Sequence, residues 1–477
     1  MKATGSSIEP RTQAHNRKCD AKNIQEQQLS YEEPFAAQIK AWRSMLPIII
    51  KHFCNIKDPR EPGKIKHSMP GLMLLGLFMF IFRIQSKREF NRELSAPAIN
   101  SILQEMFPDL NSIPHADTLS RVLSRIDVSE IEEAHVKMIK ELIKKKKFKK
   151  LLIKKCIPIS IDGTQKTVRD GQLQEEGWLL RTVSTKEGKN YQQYVYVLEA
   201  NITFSNGLNI PILTEYCYLS ADDASDQKKK QDCELNGFYR LSDKLKRYFP
   251  RSEIMILLDN LYACEGVITH LVKKRWEFVI KLPKKLKTLH DRLRDKRSRS
   301  ISIPKQHYYR ERKQTFHWEN NVDYKGQTMH LVACVDCWKE VDDGTQEIIA
   351  KKSEHTWISS MALTISNAHE VCNLAGRMRS LIEDSFNTEK NRGYQYQHVF
   401  SYNWNAMQGF HSLMRLAHAI NAISEFTKKL KKYIRELGVS KTLTTIFDAA
   451  KHNWVNVEWV REQLKITPQL CLDLGFK

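Results

Sequence analysis

From about Phe35 to Lys150 apolar residues recur at helical spacing, and nothing alternates with the period of two that a half-buried strand needs. The pattern predicts helices over 71–83, 88–94, 98–106, 117–126 and 129–150, with Pro97 after the second and Asp117, Thr118 and Ser129 as N-caps. Residues 1–35 are polar, rich in Gln, Lys and Ser, and are expected to form a disordered tail. Residues 36–150 are then expected to be a separate, all-helical domain.

Beyond 150 the period changes. An isoleucine-rich run over 156–162 is followed by a β-branched, aromatic stretch over 191–204, an Asn206-Gly207 turn and a partner strand over 208–218. A helix over 221–249, a buried strand over 254–258, a helix over 263–274 and a strand over 278–281 come next. Three strands in a meander, then helix, strand, helix and strand, is the element order of a mixed α/β sheet flanked by helices. Periodicity then breaks. Residues 283–354 open with a basic piece (Lys284 to Arg299) and continue with β-like segments around 301–303, 314–318 and 329–335, which predicts a β-rich insertion with its own small sheet. A strand over 355–365, a capped helix from Asn367 and further helices complete the core at 436, and a helical tail over 437–477 is a candidate for dimer contacts.

The charge narrows the class of partner. Lys+Arg number 76 against 55 Asp+Glu, a formal charge of +21 and a pI near 9.4, which points to a polyanion. The apolar run over 69–82 is shorter than the about 20 residues a membrane span needs, so nucleic acid, and not a membrane, is the expected partner. Lysines crowd 139–155, where phosphate contact and a solvated helix end are equally open readings, and Lys428, Lys429, Lys431 and Lys432 form a second basic patch. Ten scattered cysteines and a polar N-terminus through Tyr31 fit a reduced cytoplasmic compartment. Cys334 and Cys337 lie in a strand-like segment without a second ligand pair, which favours structural cysteines over zinc.

Two acids stand where apolar strands end: Asp162 in Ile159-Ser160-Ile161-Asp162-Gly163-Thr164, and Asp259 in Ile256-Leu257-Leu258-Asp259-Asn260-Leu261-Tyr262. Open α/β sheets build their sites at such ends. One such acid is ordinarily a turn former, but two on neighbouring strands would repel each other and imply a shared cation. Oxygen ligands alone suit Mg2+ or Mn2+. On the helix after Asn367, Glu383 and Lys390 fall roughly 40° and roughly 20° around the axis from Arg379, one narrow stripe with two cations about a carboxylate. Val371, Leu374, Met378 and Ile382 lie beside that stripe and would bury against the sheet. Spacing alone also describes a surface salt-bridge ladder; the two strand-end aspartates favour a site.

This order of strand–Asp162, strand–Asp259, β-insertion and helix–Glu383 resembles the ribonuclease H-like core of the DDE transposases. It is most similar to the bacterial insertion-sequence group marked by a tyrosine–arginine–glutamate–lysine signature. Gly376, Arg379, Glu383 and Lys390 occupy the four signature positions, so glycine replaces the tyrosine, which in the family handles the DNA end near the scissile phosphate. Lys230-Gln231-Asp232-Cys233-Glu234, Gly393-Tyr394 and His398-Val399-Phe400 also fit, and the resemblance covers about residues 60–430.

The resemblance implies a DNA transposase in which Asp162, Asp259 and Glu383 are catalytic and hold Mg2+ or Mn2+. Two metals about 3.5–4 Å apart would activate water and stabilise the leaving oxygen. Arg379 and Lys390 would hold DNA phosphates. Relatives stack a tryptophan at the insertion's exit on a flipped base; Trp357 takes that position, with core packing as the alternative reading. His398, Trp404 and His411 read as packing residues. Family analogy further implies double-stranded DNA as partner (transposon ends and target), a homodimer on paired ends, a helical DNA-binding segment over 36–150, a bacterial cytoplasmic, nucleoid-associated location and no small-molecule substrate. The rivals are a nuclease on the same core and a DNA-binding protein without activity.

Overall fold

A computed structural model describes residues 23–108, 110, 113–171, 177–185, 188–218, 230–295, 301–303, 312–341 and 347–475. The chain opens with α1 (Ile24–Phe53), capped by Asn23, whose side chain accepts the Glu26 amide at 2.8 Å. This corrects the expected tail: helix begins at Ile24, and residues 1–22 lie outside the described residues. Phe35, Ile39, Trp42, Met45, Ile49 and Phe53 recur at helical spacing and are buried; polar composition and Pro34 hid this amphipathic stripe from a compositional reading.

Then come α2 (Met69–Ile81), α3 (Lys87–Glu93), α4 (Pro97–Met106), α5 (Ala116–Leu123) and α6 (Ser129–Lys144). The helices α2 to α5 fall within about three residues of their expected spans, whereas α6 stops at Lys144 instead of running on to 150. The helix α2 is buried on every side, because α1, α5 and the long α11 (Trp404–Glu425) surround it. A methyl at Gly76 would meet Leu119 and Leu413 at 2.8 Å, so the glycine lets α2 press between α5 and α11. The N-terminal helices therefore do not form the separate domain expected. They share one continuous core with α11, α12 (Lys428–Leu437), α13 (Val439–Lys451) and α14 (Val457–Lys465). The C-terminal tail folds onto α1 and α4: Tyr31 stacks on Trp454 at 4.8 Å, and Arg461 bonds Glu105 through two nitrogens.

Among the described residues the rest of the chain builds one ten-stranded sheet. Its strands are β1 (Ile157–Asp170), β2 (Leu179–Thr185), β3 (Gly188–Thr203), β4 (Asn209–Cys217), β5 (Ile254–Leu258), β6 (Glu277–Lys281), β7 (Ile301–Ile303), β8 (Lys313–Tyr324), β9 (Gln327–Val341) and β10 (Ile348–Ser359). Helices α7 (Lys230–Tyr248), α8 (Glu265–Lys273), α9 (Lys287–Asp295) and α10 (Leu381–Asn391) connect or flank them. The expected helix over 221–249 is seen from Lys230; residues 219–229 lie outside the described residues. Strands run β2-β3-β1-β5-β6-β10-β9-β8-β7, and β4 also pairs β3. Thus β1, β3 and β4 form the expected antiparallel meander, and β5 and β6 add in parallel beside β1.

Two further expectations are corrected. Among the described residues the insertion has no sheet of its own: β10 pairs β6 at Trp357↔Lys281, Ile358↔Ile280 and Ser359↔Val279, so β10 to β7 prolong the core sheet. The regular helix expected from Asn367 is a π-helical turn (Glu370–Ala375), a 3-10 turn (Gly376–Ser380) and then α10. Its apolar side is as read, with Val371, Met378 and Ile382 buried. The Asn367 carbonyl accepts the Val371 amide at the start of this segment, but its side chain does not cap it and instead closes the preceding turn, accepting the Thr364 amide and donating to the Ala362 carbonyl.

Candidate active site

The register of β1 and β5 sets the two aspartates side by side. Their parallel pairing runs from Ile157↔Ile254 to Ser160↔Leu257, so Asp162 and Asp259 stand two residues beyond the last pair. Side chains alternate across the pleat, and equal offsets put both on one face. There β5 stops while β1 continues against β3, and the strand ends part around the acids.

The third acid comes from α10, which packs on β1, β3 and β4. Arg379, in the 3-10 turn before α10, reaches all three carboxylates. Its Nη1 donates to Asp162 Oδ2 at 3.1 Å, and its Nη2 lies 2.5 Å from Glu383 Oε1 and 3.8 Å from Asp259 Oδ2. The guanidinium is largely shielded, whereas Asp259 and Glu383 are 40% and 56% exposed, so the cluster opens to solvent on their side. The acids surround the guanidinium and do not crowd one another: among the described residues their oxygens do not form a group within 4.8 Å. Burial pushes the Asp162 carboxyl up to about 6; Arg379 opposes the rise, and Glu234 and Glu383 add to it.

Lys390, the last residue of the stripe, donates to Thr164 Oγ1 at 2.7 Å, two residues beyond Asp162. Burial lowers its pKa, with the Glu389 charge acting against that. Lys281 ends β6 on the far side of Asp259; burial lowers its pKa too, and Asp259 opposes. The structure thus brings together Asp162, Asp259, Glu383, Arg379 and Lys390.

Trp357 is placed differently from the base-stacking role expected of it. Its indole is 2% exposed, lies over His355 at 5.9 Å, and would be 2.5 Å from a Cβ at position 376. The ring packs on the backbone of Gly376, and its burial leaves no face for a base. The same contact explains the missing signature tyrosine: no side chain fits at 376 while Trp357 occupies that volume. The lysine-dense end of α6 is partly engaged within the chain, with Lys147 bonding the Leu470 carbonyl and Lys154 pairing with Glu370.

Sequence reasoning missed what lies behind the acids. Glu199, opposite Asp162 in the β1–β3 pairing, and Glu389, next to Lys390, are fully buried and share Arg415. Glu234 lies on the other side of the sheet. Glu199 carried one sequence signal, an acid inside an apolar strand, and Glu234 ends the Lys230–Glu234 run already noted, but nothing local showed the partners of either, and Glu389 carried no signal. His411, read as a packing residue, belongs to the Glu199 group at 3.0 Å. The group of three among the described residues whose ligand atoms lie within 4.8 Å of one another is elsewhere: His52, Glu130 and Glu133, with the Lys137 ammonium 2.7 Å from His52 Nδ1.

An antiparallel meander extended by two parallel strands, with acids at adjacent strand ends and a third on a flanking helix, defines a ribonuclease H-like fold with a three-carboxylate site. Comparison with known families agrees. Residues 220–421 match the family model described as "Transposase DDE domain", and residues 50–139 match "DDE_Tnp_1-associated". Together the two models span more than half of the chain, which belongs to the DDE transposases, a family of DNA transposases that use divalent metal ions. No curated protein matches it. Among solved structures it is similar to a cryo-EM structure of a piggyBac transposase synaptic complex with hairpin DNA, at 12% identity and a TM-score of 0.36, over 92% of this chain and 83% of that one. Among the described residues no helix is long and apolar enough to cross a membrane.

Proposed function

We propose that the chain cuts DNA at the ends of a mobile element and joins those ends to target DNA, with Asp162, Asp259 and Glu383 holding Mg2+ or Mn2+. The observation that supports this reading is the meeting of three carboxylates from β1, β5 and α10 around Arg379. The residues fit a divalent cation: three acids against one guanidinium leave negative charge in excess, and the donors are all oxygen. Bound there, the metal supplies an activated water and stabilises the leaving oxygen.

The chain's own groups do the rest. Arg379 offers a planar fork to a backbone phosphate, and Lys390, oriented by Thr164, offers a point charge beside it. Asp162 is fixed by a continuous strand, while Asp259 and Glu383 sit at the more open rim. Segment 36–150, with the lysines up to 155, takes double-stranded terminal repeats, and two chains pair on two ends. In an insertion sequence this work takes place in the bacterial cytoplasm, at the nucleoid.

The test is to incubate the protein with a pre-cut terminal-repeat duplex and a target plasmid in Mg2+. Joined product supports the reading. Cleavage without joining would make the chain a nuclease, and neither would make it a DNA-binding protein. Asp259→Asn is expected to lose cutting and joining while binding ends as before; cutting at the wild-type rate would remove Asp259 from the site.

A further inference from the structure

Behind the acid cluster, on α7, Glu234 is buried at 8% exposure. Each of its oxygens accepts one tyrosine hydroxyl: Tyr196 donates to Oε2 at 2.6 Å and Tyr262 to Oε1 at 3.0 Å. Those tyrosines touch the two segments that carry the strand-end aspartates. The Tyr196 hydroxyl lies beneath Gly163, the residue after Asp162, where a Cβ would stand 2.5 Å from it. Tyr262 closes the turn after Asp259, its amide donating to the Asp259 carbonyl at 3.2 Å. Glycine at 163 and tyrosine at 262 are therefore needed by the same carboxylate.

Among the described residues no Lys, Arg or His forms an ion pair with Glu234. Its oxygens are met by neutral hydroxyls, and burial together with the Glu234 charge keeps both phenols protonated by raising their pKa. Its field also acts on Asp162, against the pull of Arg379. A carboxylate met by neutral hydroxyls beside an acid cluster disfavours that cluster when empty and favours a cation in it.

We propose that Glu234 is a positioning residue of the acid cluster: clamped by Tyr196 and Tyr262, it ties the ends of β1 and β5 together from behind and strengthens divalent-ion binding at Asp162 and Asp259. This rests on the reading of those acids as metal ligands. Outer partners of metal ligands commonly change affinity by about 10–100-fold when replaced.

The test is calorimetric titration of the full-length chain with Mn2+, thermal unfolding serving as the folding control. Wild type is expected to bind Mn2+ in a way that Asp162→Asn abolishes. Glu234→Gln, which keeps size but removes charge, is expected to weaken binding about tenfold. Tyr262→Phe and Tyr196→Phe are expected to weaken it less. Asp162-dependent binding that Glu234→Gln leaves unchanged overturns this inference and spares the site. Absence of Asp162-dependent binding in wild type overturns the site, and this inference with it. If Glu234→Gln lacks a cooperative unfolding transition, Tyr262→Phe decides: a folded variant with wild-type affinity overturns the clamp.

Discussion

Six residues apart on α10, Glu383 and Glu389 belong to two arginine-centred acid groups with opposite characters. Around Arg415, Glu199 and Glu389 are fully buried and every carboxylate oxygen is used. Glu389 takes Arg415 through both oxygens, at 2.9 and 3.2 Å, and His418 at 2.6 Å. Glu199 takes Arg415, His411, Tyr396 and Thr214 between 2.7 and 3.1 Å. Around Arg379 each acid meets the guanidinium once, at 2.5 to 3.8 Å, Asp162 adds only the Gly163 amide at 3.0 Å, and Asp259 and Glu383 are half-exposed. The electrostatics diverge in the same sense. Burial pushes Glu389 up, but Arg415 and His418 outweigh it and hold the carboxyl at about 2, whereas Asp162 rises to about 6. Similar ingredients make an anchor where charge is balanced and a ligand site where acid is in excess.

The sharpest way to break this comparison is to remove one acid from each group. Glu389→Ala strands part of the Arg415 charge in the core, and breaking such a pair costs about 3–5 kcal/mol, a large share of a typical folding free energy. Denaturant unfolding should show that loss, and a variant as stable as wild type would mean the anchor is not one. Asp259→Asn should do the reverse: stability held, and strand cleavage slowed by at least about a hundredfold to a thousandfold, some 3–4 kcal/mol of barrier.

Acid sharpens the contrast, with effects on the order of 2 kcal/mol per group. Burial and then Lys166 lower His411 to about 4, against the bond to Glu199. The unfolded chain takes up that proton first, so stability falls as pH drops from about 6.5 towards 4. Glu389 is depressed, so its stabilisation is full above its ordinary value of 4.5 and is lost as pH falls towards 2. Asp162 has the opposite sign. Its folded carboxyl takes a proton more readily, so its contribution worsens as pH rises from 3.8 through about 6. Asp162→Asn should therefore raise the metal-free melting temperature at pH 7 more than at pH 4. An equal shift at both would contradict the raised carboxyl.

The Trp357–Gly376 contact permits a smaller test. Gly376→Tyr restores the signature tyrosine but drives a side chain into the indole, at about 1–3 kcal/mol. Combined with Trp357→Ala, much of that penalty should vanish, and a double-mutant cycle should give a coupling near 1 kcal/mol or more. Additive losses would show that the two positions do not compete for one volume.

How far such contacts were legible depended on their range along the chain. The continuous apolar strand β5, bounded by Asp259, was readable almost to the residue, as were the helices α2 to α5, because each pattern is local. Arg379, Glu383 and Lys390 were legible as one charged run, though Arg379 stands in the 3-10 turn before α10 and not on one regular helix with the other two. The sheet's continuation through β10 was not, since Trp357↔Lys281 pairs residues on either side of the whole insertion. Short, polar β2 went unread because Arg181, Thr182, Ser184 and Thr185 lack an apolar face of their own and borrow one from β3. The need for glycine at 376 was hidden for the same reason as the buried acids: the side chain that fills its space is distant in sequence. Sequence announces which residues carry charge; partners that arrive from elsewhere in the fold decide whether the charge is balanced.

The smallest expected effect separates the two arginines most directly. Arg415 is enclosed and cannot meet DNA without unfolding its surroundings, while Arg379, itself largely shielded, borders the side of its cluster that opens to solvent at Asp259 and Glu383. If Arg379 contacts one phosphate, Arg379→Ala removes one released counterion, and the slope of log affinity against log salt should shrink by about 0.9. Thr164→Val, which deprives Lys390 of its acceptor but not of its charge, should leave that slope unchanged. End binding by fluorescence anisotropy across a salt series measures both. An Arg379→Ala slope equal to wild type would confine the guanidinium to pairing with the acids. The rim arginine would then resemble the buried one in role, and the distinction between anchor and site would rest on the carboxylates alone.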